Sequence, residues 1–169
     1  MSNFLPKDFS WHFPKPKKEE QEFAKGKKDI LVCRECNAFY WHKSWRHHLN
    51  DYPELKENKN INFGLCPACR MIKQGKYEGE ILIENIDSER EEQVESLINN
   101  FSETAFQKDP MDRVISIDKI AKGILRVLTT ENQMAKQLAK KIKKTFKGKV
   151  NFTFSQREST LRARVILGP

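Results

Sequence analysis

Apolar and polar positions alternate along the second half of the chain with two different periods. From Lys76 onward Glu78 and Glu80 lead into Ile81, Leu82, Ile83, Glu84, Asn85 and Ile86, a strand pattern. Ser88 with Glu91 then has the spacing of a capping box. Behind it Val94, Leu97, Ile98, Phe101 and Ala105 recur at helical spacing, predicting a helix over 89–107 that stops before Asp109-Pro110. Two β-rich runs, 113–119 and 124–129, flank a tight Ala121-Lys122-Gly123 turn and predict a hairpin. Thr130 is placed to cap a second helix reaching Phe146, with Gly148 as its stop. Its stripe of Ala135, Leu138, Ala139, Ile142 and Phe146 faces inward, and the opposite side carries Lys136, Lys140, Lys143, Lys144 and Lys147. Val150, Phe152 and Phe154 alternate with polar residues, and 161–167 make a last strand.

The order is βαββαβ plus one extra strand. A ferredoxin-like sheet with two helices on one face produces that order, because each crossover helix packs back over the same sheet. Such folds host RNA-recognition modules among many others. The hairpin strands offer Val114, Ile115, Ile117, Leu125 and Val127 but no aromatic ring, so phosphate contacts by the lysine helix are expected rather than bases stacked on the sheet.

The first half lacks such periods. Residues 1–28 hold Pro6, Pro14, Pro16 and a charge cluster and are expected to be a flexible arm, whose Phe4, Phe9, Trp11 and Phe13 suit docking on a partner or on the body. Ordered sequence is expected from Asp29, where Ile30, Leu31 and Val32 lead into the first cysteine.

Composition sharpens this picture. The 169 residues contain 38% hydrophobic positions, fewer than a packed domain of that length usually has. No apolar run approaches the ~20 residues of a membrane span, and no apolar signal region opens the chain, so a cytoplasmic protein is expected. The net charge of +8 suggests a polyanionic partner. It is unevenly spread: 87–112 carries −6 and 113–169 carries +11, which suggests a module with one face turned to a polyanion and one turned away.

Cys33-Arg-Glu-Cys36 and Cys66-Pro-Ala-Cys69 are two C-x-x-C pairs with 29 residues between them. Read as two knuckles, they bring four thiolates to one structural Zn²⁺, and the long gap requires an insertion in the first hairpin. Four cysteines close the coordination shell and leave no place for an activated water. After the first pair, Tyr40, Trp41, Lys43, Trp45 and Arg46 interleave rings with cations, which suits unpaired bases and phosphates as well as it suits packing over the metal. His47, His48 and Asn62 ahead of Cys66 offer an alternative, a His-Asn-His type metal-dependent nuclease, although Arg70 stands where that layout needs another ligand. A further alternative is a protein-interaction module using the acidic helix from Glu89 to Glu103. The sequons at Asn100 and Asn151 are taken as chance.

The chain resembles a family of small bacterial zinc-ribbon proteins, some of them labelled ATPases, and more distantly the zinc-binding region of the ribosomal large-subunit export adaptor, nonsense-mediated decay protein three. The resemblance covers about 30–169. It rests on Cys33-x-x-Cys36 with the aromatic-basic segment through Trp45, Cys66-Pro-Ala-Cys69-Arg70 leading to Gly79-Glu80, Thr129-Thr130, and Lys147-Gly148-Lys149. It implies a connection to ribosomes or structured RNA. It does not imply ATP hydrolysis, because no G-x-x-x-x-G-K-[ST] loop is present. Asn37 stands where such ribbons often have glycine, and Asn also tolerates the left-handed conformation.

The expected organisation is an arm at 1–28, a four-cysteine zinc ribbon at 29–76 and a ferredoxin-like α+β domain at 77–169. The expected function is non-catalytic binding of RNA, ribosomal RNA foremost, with one structural zinc and no small-molecule substrate or membrane.

Overall fold

The computed structural model describes residues 30–56, 60–156 and 159–169, so the arm expected at 1–28 lies outside the described residues. The fold is mixed α+β with two sheets. The smaller sheet contains β1 (Ile30–Cys33), β2 (Phe39–Trp41), β3 (Ser44–Arg46) and β4 (Ile61–Gly64), in the order β3-β2-β1-β4. A 3-10 turn (Leu49–Asp51) and the short helix α1 (Pro53–Lys56) lie between β3 and β4, and α2 (Pro67–Lys73) follows β4. β1 pairs antiparallel with β2 but parallel with β4. The long gap between the cysteine pairs therefore holds a hairpin, two helical turns and a returning parallel strand.

Side chains pack on both faces of β1 to β3, while Asn62 and Phe63 of the edge strand β4 are exposed. Val32 lies opposite Phe39 on the face where Ile30, Phe39 and Leu55 are buried and Trp41 and Tyr52 pack. Leu31 and Tyr40 are opposite each other on the other face, and Tyr40 is opposite Trp45, which packs on the cysteines.

The larger sheet follows α2. Its strands are β5 (Gly79–Glu84), β6 (Val114–Ala121), β7 (Ile124–Thr129), β8 (Lys149–Ser155) and β9 (Thr160–Ile166), with α3 (Glu91–Lys108) and α4 (Asn132–Thr145) as crossovers. The spatial order is β6-β7-β5-β9-β8. The extra strand is inserted between β5 and β8, where β9 runs parallel to β5 along Gly79–Glu84. This departs from a plain four-stranded antiparallel order.

Alternation along β5, β7 and β9 sends Ile81, Ile83, Leu125, Val127, Ala163 and Val165 into one core with Val94 and Ile98 of α3 and Leu138 and Ile142 of α4. Both helices thus cover the same face. The other face carries Glu80–Arg162, Glu84–Arg164 and Asp118–Arg126 pairs. The expectation that the acidic and basic segments form opposite faces is therefore corrected: α3 and α4 lie side by side on one face, and the basic segment also supplies Arg126, Arg162 and Arg164 to the other. The Glu91–Lys119 ion pair and the Arg113 guanidinium over the Phe106 ring hold α3 over the β6 side. α4 packs on β9 and β5.

Three cap assignments also change. Asp87, not Ser88, accepts the Arg90 N–H at 2.8 Å before α3. Thr130 is buried and its hydroxyl bridges to the entry of β6, accepting from Arg113 N–H at 2.9 Å and donating to Met111 O at 2.6 Å. After α4 it is Lys147 that takes the left-handed conformation (φ 49°). Gly148 is needed for closeness instead, since a Cβ there would lie 2.4 Å from Ile166 O.

Candidate metal centre

β1 delivers Cys33 to a tight turn in which Cys33 N–H donates to Ala38 O at 2.7 Å and Asn37 N–H to Cys33 O at 3.0 Å. Asn37 adopts the left-handed conformation such a turn requires (φ 60°). The second pair is built differently. Cys66 is the N-cap of α2, Pro67 occupies the first turn, and Cys66 Sγ accepts the Cys69 N–H at 3.3 Å. The second pair opens a helix, because Pro67 fixes a helical φ at the position where a helix needs no N–H donor.

The two constructions meet. All four sulfurs lie within 4.8 Å of one another, and Cys66 N–H donates to Cys33 Sγ at 3.3 Å. Cys36 Sγ and Cys66 Sγ are 3.7 Å apart. Thiolates at ~2.3 Å from a tetrahedral metal sit about 3.8 Å apart, so this separation fits an ion and is far too long for a disulfide. The residues present can hold one metal ion. Cys33 and Cys66 are fully buried, Cys69 nearly so, and Cys36 is half-buried.

Burial and proximity divide the charge unequally. The hydrogen bond with Cys66 holds Cys36 as a thiolate, lowered to about 4. The same bond, with burial, pushes the Cys66 thiol up. Burial raises Cys69 to about 11. Without a metal Cys66 and Cys69 therefore keep their protons at neutral pH, and a divalent cation must displace them.

The aromatic-basic segment forms the β2–β3 hairpin. Trp41 packs on the small core and Trp45 on the cysteines, while Tyr40 meets Trp45 with ring centroids 5.4 Å apart. Arg46 lies against Trp41 and Tyr52, its carbon 5.7 and 5.9 Å from the two ring centroids, and donates to Tyr52 Oη at 3.3 Å. Of the five residues of this segment expected to touch RNA, Lys43, at the hairpin tip, is the one that is exposed. On α4 and just beyond it, Lys140, Lys143, Lys144 and Lys147 are exposed and Lys136 is half-buried; none of the five is ion-paired among the described residues. The lysines and the aromatic-basic segment are on different sheets.

Among the described residues neither His47 nor His48 belongs to a group of three or more His, Cys, Asp or Glu side chains that could hold a metal ion. The His47 ring nitrogen bonds to Phe106 O near the end of α3, and the ring meets the Phe106 ring edge-on at 4.6 Å. Met111 packs on the cysteines. His47, Phe106, Met111 and Arg113 form a joint between the two sheets that sequence reading missed, because partners 59 residues apart leave no local pattern. No helix among the described residues is long and apolar enough to cross a membrane.

No protein-family model, curated protein or solved structure matches the chain.

Proposed function

We propose that this is a zinc-containing RNA-binding protein without a catalytic role, whose zinc is structural and whose partner is ribosomal RNA. The observation that carries the reading is the row of unpaired lysines on α4, set over β9 on the half of the helical layer away from acidic α3. A row of exposed cations along one helix suits successive backbone phosphates. Acidic α3 would repel the same backbone, which restricts the contact to α4 and the β8 side. The soft, closed set of four thiols suits Zn²⁺ and leaves no position for a reacting water. Lys43 supplies a second, smaller contact from the ribbon.

Co-sedimentation with ribosomes across a salt series tests this. Replacing Lys140, Lys143 and Lys147 by Gln should lower the salt slope of binding by about 2–3, since each phosphate contact contributes about 0.7–0.9. An unchanged slope with a folded variant refutes the reading.

A further inference from the structure

The two edges of the larger sheet are unlike. β6, at one edge, is interrupted by register irregularities between Val114 and Ser116 and between Lys119 and Ala121. Bulges and charges of this kind are devices that keep an edge strand from pairing with another chain. β8, at the other edge, pairs with β9 in unbroken register over all seven residues and contains no proline, and its single charge is Lys149 at one end. Among the described residues no strand meets its outer side. Its apolar side is also incompletely covered: Phe154 is 43% exposed, and Val150 and Phe152 are half-buried, while Ala163 and Val165 opposite them on β9 are buried.

We propose that the outer edge of β8 is a homodimer seam, at which two copies pair their β8 strands antiparallel about a two-fold axis at Phe152. The sequence of the strand is self-complementary in that register. Val150 meets the second copy's Phe154, Phe152 meets its counterpart, and Asn151 meets Thr153, so apolar residues line one face of the seam and polar residues the other. Lys149 meets Ser155. The two Lys149 residues, with the C-terminal lysines of α4 behind them, then sit at opposite ends of the seam, about 20 Å apart at ~3.4 Å per residue. That exceeds the ~8 Å screening length at physiological salt, so the basic halves meet without strong repulsion. The axis is perpendicular to the sheet and leaves all four crossover helices on one face of a continuous ten-stranded sheet.

Sedimentation equilibrium of the metal-loaded, nucleic-acid-free full chain tests this independently of any RNA. The mass should rise from 19.9 kDa toward twice that value with increasing concentration. One strand pair is at the small end of specific interfaces, so half-association is expected at roughly 10–100 μM. Phe154→Lys places a charge in the apolar seam and should weaken association at least ~10-fold. Benzoylphenylalanine at position 154 should photo-cross-link to the second copy around Val150, a readout that does not require the lysine variant to fold. The proposal is overturned by a wild-type chain that stays monomeric throughout, by a dimer that folded Phe154→Lys leaves unaltered, or by cross-links to another segment.

Discussion

The two sheets of this protein are stabilised in different ways. The smaller one buries Ile30, Val32, Phe39 and Leu55, a cluster too small to order four short strands, and adds four buried or half-buried sulfurs that are mutually repulsive once ionised. The larger one closes a continuous apolar core between five strands and two amphipathic helices. On the proposed reading the first region depends on an ion and the second on packing. The same reading accounts for the modest hydrophobic share of the chain, with metal coordination standing where a domain would otherwise need more core.

The largest effect that can break this contrast is removal of the metal. Chelation, or Cys66→Ser, should unfold the ribbon while the larger sheet stays folded, since apparent metal-binding energies of ~10–16 kcal/mol are folding energy in such sites. Amide spectra should show collapse confined to 30–76; collapse of both regions together would mean that the joint at His47 and Phe106 makes them one folding unit.

The reciprocal change is smaller. Leu138→Ala, which opens a cavity in the larger core, should cost about 2–5 kcal/mol in denaturant unfolding and leave metal affinity unaltered.

Smaller again per step is the response to pH. Cys69, raised to about 11, and Cys66, also raised, are protonated in the metal-free chain at neutral pH, and a metal needs their thiolates. Affinity should therefore fall on acidification from pH 8 to 6, by about tenfold per pH unit for each proton displaced. Cys36, at about 4, is already ionised across that window and adds nothing to the slope. Competition with a chromophoric chelator, with proton release followed by calorimetry, measures both.

How far the fold was legible follows the same division. The larger sheet was readable because α4 and β5 each bury one face, so period and burial agree: Ile81 and Ile83 alternate, and Leu138 and Ile142 recur four apart. Its caps were not, because Thr130 is used across the fold by Met111 and Arg113 rather than by the helix behind it. The cysteine spacing disclosed the four-sulfur cluster but not that Cys66 begins a helix, although Pro67 followed by Ala68, Arg70 and Met71 carried that signal. The aromatic-basic run suited packing as well as bases, and its packing has a physical reason. Rings between the two cysteine pairs have a small core and a sulfur cluster to cover, so Trp41 and Trp45 pack inward, and Arg46 lies beside both the Trp41 and Tyr52 rings. Charge was readable as a sum over segments, but the side-by-side placement of α3 and α4 is a property of the sheet order.

The claim that the packed region carries the RNA contact is tested most directly by titrating the isotope-labelled, metal-loaded chain with a short A-form RNA hairpin and following backbone amides. The account predicts shifts concentrated at 136–147, with a smaller set at the Lys43 hairpin and none along the exposed side of α3. Shifts confined to the ribbon, or none at a salt concentration where α4 lysines are unscreened, would contradict it.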